Sequence, residues 1–164
     1  MTPLSDEPIH PSARRVVDAL RARGVEATVR QFDVPTKTAA DAAAALGCDV
    51  GAIASTLVFM LDGEPVVVIK SGAFRVDVER LRIDAGATSA RQATPDEVRV
   101  ATGQPIGGVS PVGWPRELLT FIDDRLDRYE VVWAACGTPH AVFASTYDEL
   151  MSLTGAAPLS LRPH

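Results

Sequence analysis

Apolar residues fall in short, dense blocks along this chain. The densest is Thr56-Leu57-Val58-Phe59-Met60-Leu61, followed by Asp62-Gly63 and a second block, Val66 to Ile69. β-branched and aromatic residues on both sides of a dipeptide that tolerates positive φ predict a β-hairpin. Neither block alternates between apolar and polar residues, so both faces of these strands should be covered. Ser55 and Thr56 open the hairpin, and Lys70, Ser71 and Gly72 close it at the same edge. That polar edge is the candidate site.

The flanking segments read in order. Residues 1–11, with three prolines, form a leader. Ser12 can cap a helix whose apolar face is Ala13, Val16, Val17 and Leu20, ending at Gly24. Val25 to Phe32 alternates in part, as a strand with one exposed face does. Thr38 can cap an alanine-rich helix, Ala39 to Leu46, which Gly47 stops. After the hairpin, Asp77 caps a short helix ending near Gly86, and Ala87 to Ala93 is a weak strand. Thr94-Pro95-Asp96-Glu97 combines a cap, a proline at the first helical position and first-turn acids, and predicts a helix to Thr102. Residues 103–115 are rich in Gly and Pro yet apolar, which predicts an ordered loop. Leu118 to Ile122, Val131 to Ala135 and Ala141 to Ala144 read as strands. The charged segment Asp123 to Arg128 separates the first two, and its acid-rich part, 123–127, reads as a solvated helix start. Ser145 or Thr146 caps a closing helix from Tyr147, and Gly155 ends it, leaving 156–164 as a tail. The tally predicts one mixed α/β (α+β) domain over residues 12–155.

Composition narrows the function. The 164 residues carry a net charge of −5, with 46% hydrophobic and 23% charged residues. That balance fits one globular domain and argues against a broadly basic nucleic-acid surface, while leaving room for a local basic patch. Cys48 and Cys136 are isolated and read as small structural residues, and no His/Cys/Asp/Glu spacing suggests a metal site or resident cofactor. No apolar stretch approaches the ~20 residues of a membrane helix, and the N-terminus lacks a signal-peptide core, so a cytoplasmic location is expected. No Walker A or GxGxxG pattern follows a strand, and Ser110 lacks the G-x-S-x-G context of a nucleophile elbow.

A set of motifs falls in one order: Ala45-Leu46-Gly47, the IASTLVF run at Ile53 to Phe59, Arg75-Val76-Asp77, TGQPIGGVSPVG at Thr102 to Gly113, and YDEL at Tyr147 to Leu150. Together they resemble the YbaK/EbsC family, which includes the editing domain of bacterial prolyl-tRNA synthetase. The resemblance spans about residues 25 to 155, with Gly107-Gly108-Val109-Ser110-Pro111 its most specific part. It implies a curved, barrel-like mixed sheet and hydrolysis of a mischarged tRNA, of the cysteinyl- or alanyl-tRNA(Pro) type. The implied partners are a tRNA acceptor end and prolyl-tRNA synthetase, with no DNA, membrane or cofactor.

Ester hydrolysis needs an attacking water or ribose hydroxyl, a pocket for a small amino acid and donors aimed at the developing oxyanion. From composition, the Gly107 to Pro111 loop is a tight turn over the core; the resemblance places it on the substrate amino acid. The glycines would then let backbone approach the ligand. One departure stands out. Relatives carry lysine in I-A-K-T-L, where this chain has Ser55. Phe32 stands where some relatives have tyrosine, and Val142 lies in a last strand without the family's polar side chain. If Asp62-Gly63 is the hairpin loop, Ser55 pairs with Lys70, which could deliver its amine to the vacated position; if the turn centres on Gly63-Glu64, Lys70 pairs with Leu57 instead. The candidate catalytic residues are Ser55 and Lys70. The candidate substrate-binding residues are Phe32, Thr56, Gly107, Gly108, Val109, Ser110, Pro111, Gly137 and His140. His140 reads equally as a solvated loop residue, while His10 and His164 lie in the tails. With the family lysine absent, a binding module that has lost hydrolysis is the alternative.

Overall fold

The computed structural model describes residues 9–159. Its elements run α1 (Pro11–Ala22), β1 (Val29–Gln31), α2 (Ala39–Leu46), β2 (Ile53–Leu61), β3 (Glu64–Ser71), α3 (Val78–Ala85), β4 (Ala90–Gln92), α4 (Pro95–Thr102), β5 (Thr120–Asp123), β6 (Val132–Ala135), β7 (Ala141–Ser145), α5 (Tyr147–Thr154) and β8 (Ala157–Leu159). Four helices start on the expected caps: Thr38, Asp77, Thr94 and Thr146 each accept a backbone N–H from the first turn, and Thr94 forms a reciprocal capping box with Glu97. Helix α1 differs. Its cap is His10, whose ring nitrogen accepts from the Ser12 N–H, and Pro11 rather than Ser12 opens the helix.

All eight strands join one mixed sheet in the order β1-β7-β6-β2-β3-β5-β8, with β4 a branch on β2. The path runs from an edge at β1 to an edge at β8, so it is an open mixed sheet. Asp62 (φ 51°) and Gly63 (φ 79°) both take positive φ, the signature of a two-residue hairpin turn whose twist matches its strands. Leu61 therefore pairs with Glu64, and counting down the ladder sets Ser55 opposite Lys70; the slipped register with Leu57 does not occur.

Val66 to Ile69 are buried on both faces, which explains their unbroken apolar run. Val67 and Ile69 face the main core with Leu20 of α1, Ile122, Phe143 and Leu150. Val66 and Val68 face a second cluster with Phe59 and Leu81 of α3. A third cluster joins α2 to the sheet through Ala42, Ala43, Ile53, Trp133 and Val142.

Several local expectations are corrected. Of the segment 25–32, Val29–Gln31 forms the strand, opposite Ala141 to Phe143, with the Ala144 N–H donating to the Thr28 carbonyl and the Phe32 N–H to the His140 carbonyl just beyond its two ends. Ile9, assigned to the leader, packs against the core; residues 1–8 of that leader, and His164, lie outside the described residues. The region read as a tail begins with β8, which pairs in parallel with β5. The 123–127 stretch does start a short 3-10 helix, Asp124–Arg128, capped by Asp123, and Asp124, Asp127 and Arg128 are exposed, but two of its charged residues are not solvated. Asp123 is fully buried and Arg125 is 5% exposed, joined by two charge-assisted bonds of 2.8 and 3.0 Å.

Candidate active site at a split strand edge

Strand β2 has β3 along one edge and two different neighbours along the other. On that second edge β6 pairs only with Ile53 and Ala54, while β4 pairs with Phe59 to Leu61. Between them the sheet parts beside residues 55–58. The Gly72 N–H donates to the Ile53 carbonyl on the β3 side. Alternation along an antiparallel ladder then turns the peptide groups of Ala54, Thr56 and Val58 toward the split edge. The Val58 carbonyl accepts there from the Ala93 N–H, as this phase requires.

A cavity of about 250 Å³ opens at this gap, of a size for a small ligand group. Ser55, Thr56 and Lys70 line it, with Gly107 and Val109 of the glycine-rich loop, Trp133 of β6 and Val142 of β7. The start of α2 contributes Thr36, Lys37, Thr38 and Ala39. Gly72 explains why α2 lies so close, since a Cβ there would sit 2.7 Å from the Ala39 Cβ and 2.6 Å from the Val50 carbonyl oxygen. Glycine thus brings the two lysine-bearing segments to one rim.

The charge pattern is asymmetric. The chain has two lysines, Lys37 and Lys70, and both line the cavity; no acidic residue among the described residues does. Fourteen arginines serve the rest of the chain. An acid-free cavity with two ammonium groups is an anion-seeking site on a protein of net charge −5. Lys37 is exposed and makes no ion pair or hydrogen bond among the described residues. Lys70 is partly buried, and its Nζ donates to the Phe74 carbonyl at 2.8 Å. Desolvation pulls the Lys70 pKa below the usual 10.5; Asp123 opposes this, and Arg125 and Arg75 add to it.

The turn that holds Lys70 is itself fastened from below. Asp123 accepts from the Ser71 N–H at 3.1 Å, and Arg125 lies 3.6 Å from the centroid of the Phe74 ring. The Ser71 hydroxyl donates to the Gly51 carbonyl at 2.7 Å. Thr56 is the opposite case. Its Oγ1 is sealed from solvent and has no hydrogen-bond partner among the described residues. Leaving such a group unpaired costs about 1–3 kcal/mol.

The glycine-rich loop divides into two parts. Residues 105–108 form a turn in which the Gly108 N–H donates to the Pro105 carbonyl and Gly107 takes φ 87°, at the position a type II turn reserves for glycine. Gly107 is exposed on the cavity, and nothing lies within 4 Å of where its Cβ would be. Gly108 is buried instead: a Cβ there would meet Thr138 backbone atoms at 2.7 and 2.8 Å. Its close approach is to the protein's own 137–140 turn, which corrects the expectation that it faces a ligand.

The remaining candidates stand off the cavity. Ser110 is fully buried: its N–H donates to Gln104 Oε1, its hydroxyl to the Val112 carbonyl, and its carbonyl accepts from Trp114 Nε1. These bonds hold the loop in shape. Pro111 lines a separate open groove beside the ends of α1 and α5. Gly137 packs on the first turn of α1, where a Cβ would lie 2.6 Å from the Ser12 carbonyl oxygen. Phe32 backs the cavity wall through the cluster of Ala42, Trp133 and Val142. His140 is exposed, its Nδ1 3.3 Å from the Phe32 carbonyl. Lys37 and Trp133 were missed by sequence reasoning. For Lys37 a signal existed, its rarity as one of two lysines; for Trp133, a buried residue in an ordinary strand, there was none. Among the described residues no group of three or more His, Cys, Asp or Glu could hold a metal ion.

Residues 33–153 match the aminoacyl-tRNA editing domain. The chain belongs to that family. A crystal structure presented as a candidate trans-editing enzyme for prolyl tRNA synthetase is 42% identical, superposes with a TM-score of 0.90, and is matched over 96% of this chain and 100% of its own. The structure of hypothetical protein APE2540 is 30% identical with a TM-score of 0.83, over 90% of this chain and 98% of its own. Among curated proteins, uncharacterized YwhH of Bacillus subtilis is 32% identical over 76% of this chain and 80% of its own length. Proline–tRNA ligase of Nitratidesulfovibrio vulgaris is 35% identical over 58% of this chain. The editing domain described here spans only 17% of that ligase's length. The open mixed sheet is thus an editing-domain fold, with its cavity where β6 and β4 part. No helix among its described residues is long and apolar enough to cross a membrane.

Proposed function

We propose that the protein is a trans-editing aminoacyl-tRNA deacylase that hydrolyses a mischarged tRNA of the cysteinyl- or alanyl-tRNA(Pro) type in the cytoplasm, in association with prolyl-tRNA synthetase. The observation that carries this reading is the acid-free cavity ringed by the chain's two lysines, in a member of an aminoacyl-tRNA editing family. A tRNA 3′ end presents phosphates to the rim and a small aminoacyl ester to the interior. Lys37 and Lys70 neutralise phosphate at the mouth, while the apolar walls at Trp133, Val109 and Val142 admit a small side chain. The exposed backbone at Gly107 approaches the ester closely.

The lining residues include no Asp, Glu, His or Cys. A side-chain carboxylate or imidazole base is therefore not at hand, and the attacking group is a water or ribose hydroxyl positioned by the site. Ser55 and Lys70, cross-strand partners on one face, flank the scissile ester. Lys70 serves there as the cation that relatives place at position 55. One feature favours the alternative of a non-hydrolytic binding module: the Lys70 amine is already held by the Phe74 carbonyl. A deacylation assay on a panel of mischarged tRNAs, with cysteinyl- and alanyl-tRNA(Pro) included, separates the two. Turnover of either substrate supports the deacylase, and tight binding of both without turnover supports the module.

A further inference from the structure

Strand β2 meets the cavity edge-on. Ala54, Ser55, Thr56, Leu57 and Val58 all line it, although successive residues belong to opposite faces: Ala54 and Val58 pack in the main core and Leu57 against the second cluster. Ala135, the last residue of β6, and Gln92 and Ala93 at the end of β4 line it as well, so the space lies between the ends of those two strands. A strand edge presents backbone. Thr56 is 8% exposed while its Oγ1 is sealed, so the surface it offers the cavity is not its hydroxyl. Its N–H and C=O point together into the gap.

Both neighbouring strands leave these two groups unpaired. On the β6 side, a bond from the Thr56 N–H to the Ala135 carbonyl would extend the pairing to Ser55 and Ala135. The pairing stops at Ala54 and Ala134, and the next N–H, of Cys136, donates to the Ala141 carbonyl. On the β4 side, counting on from Phe59 opposite Gln92 sets Thr56 opposite Pro95, which has no N–H and opens α4. Among the described residues, neither Thr56 backbone group has a hydrogen-bond partner.

We propose that the free Thr56 N–H and C=O bind the α-aminoacyl group as though it were one residue of a strand: its ammonium donates to the Thr56 carbonyl, and its own carbonyl accepts from the Thr56 N–H. This rests on the reading of the cavity as the aminoacyl site. An aminoacyl ester carries a nitrogen donor and a carbonyl acceptor on one carbon, the pair that a strand residue offers to the residue opposite it. Ala135 and Ala93 close the gap on either side, which leaves room for one such partner. The contact reads the α-amino acid unit rather than its side chain, so the choice among side chains falls to the walls at Trp133, Val109 and Val142. An acyl group without the α-amine forfeits a charge-assisted bond and leaves the Thr56 carbonyl unpaired.

The test uses adenosine carrying an alanyl group, or the propionyl group that lacks only the amine, through a 3′-amide that binds without being hydrolysed. Amide hydrogen exchange followed by NMR reads Thr56 itself. In the free protein the Thr56 N–H should exchange faster than those of Ser55 and Leu57, which are paired with Lys70 and Val68; saturating alanyl amide should slow it at least ~10-fold. The alanyl amide should bind at least ~10-fold more tightly than the propionyl amide. A backbone ester at position 56, with threonine replaced by its α-hydroxy acid, removes the N–H and keeps the side chain; it should weaken alanyl binding by about 10-fold in a protein that circular dichroism shows to be folded. A Thr56 N–H as protected as its neighbours in the free protein, exchange untouched by bound alanyl amide, equal binding of the two analogues, or no binding of either would each overturn the proposal. Slowed exchange and alanyl preference with no aminoacyl-tRNA(Pro) ester cleaved would leave Thr56 its role and refute the deacylase reading. Ester cleavage with Thr56 exchange unaffected would do the reverse.

Discussion

Asp123→Asn tests the device beneath the cavity rim. The Asp123 carboxylate, fully buried, accepts four hydrogen bonds: from the Ser71 N–H at 3.1 Å, the Arg125 N–H at 3.0 Å, and Arg125 Nε and Nη2 at 2.8 and 3.0 Å. Asparagine retains one acceptor oxygen but removes the charge, which strands a guanidinium that is itself 5% exposed. Breaking a buried pair in this way costs about 3–5 kcal/mol, a large share of the ~5–15 kcal/mol that holds a domain together. With a urea slope of ~2 kcal/mol/M, the denaturation midpoint should fall by about 2 M. Burial shields the pair from counterions, so the loss should persist at high salt. The double variant Asp123→Asn/Arg125→Met removes the stranded cation and should recover at least half of the loss. The assay is urea denaturation followed by circular dichroism. A loss under about 1 kcal/mol for Asp123→Asn, the value of a solvated ion pair, would refute the claim that this pair is a buried anchor.

Four further outcomes are expected. Gly108→Ala should lower stability by about 1–3 kcal/mol, because its methyl meets Thr138 backbone that cannot yield; Gly107→Ala has open space beside it but forces an L-residue to φ 87°, which should cost about 1–2 kcal/mol, so a loss of deacylation that persists where both proteins are fully folded, read from paired melting and deacylation measurements, is what assigns Gly107 to substrate. Lys70→Ala should abolish deacylation, and Ser55→Lys should restore it in the Lys70→Ala background by placing an ammonium on the same face; failure of that rescue on every mischarged tRNA would remove Lys70 from the mechanism. Because desolvation lowers the Lys70 pKa, activity that depends on its ammonium should be full at neutral pH and fall as pH rises through a value below 10.5, and this fall should vanish in Lys70→Ala. Burial pushes the Cys136 thiol up to about 12, so alkylation at pH 8 should leave it unmodified until the protein unfolds; rapid labelling of native protein at Cys136 would contradict its place in the core.

Local chemistry made much of the fold legible from the residues alone. Asp62-Gly63 is a dipeptide that tolerates positive φ at both positions, and with the turn centred there the Ser55–Lys70 pairing follows by counting; the structure adopts that turn rather than one centred on Gly63-Glu64. Thr38, Asp77, Thr94 and Thr146 marked helix starts because a cap bonds its own first turn. The motif order, from the IASTLVF run to the GGVSP loop, carried the family resemblance without any tertiary information.

What the tertiary structure decided were relations between distant segments. The split edge exists because β6 and β4, some forty residues apart, share one side of β2 without filling it, and no local signal encodes that gap. Lys37 reaches the rim through the approach of Ala39 to Gly72, a contact that neither segment announces. Asp123 to Arg128 looked solvated since charge alone cannot report burial; the pair is buried because Ser71 N–H needs an acceptor and Phe74 offers its ring to Arg125. Gly108 and Gly107 are identical letters with opposite surroundings, one against Thr138 and one on the cavity. The orphaned hydroxyl of Thr56 is a property of its surroundings rather than of threonine, since only the packing of the whole chain determines which polar atoms are left without a partner.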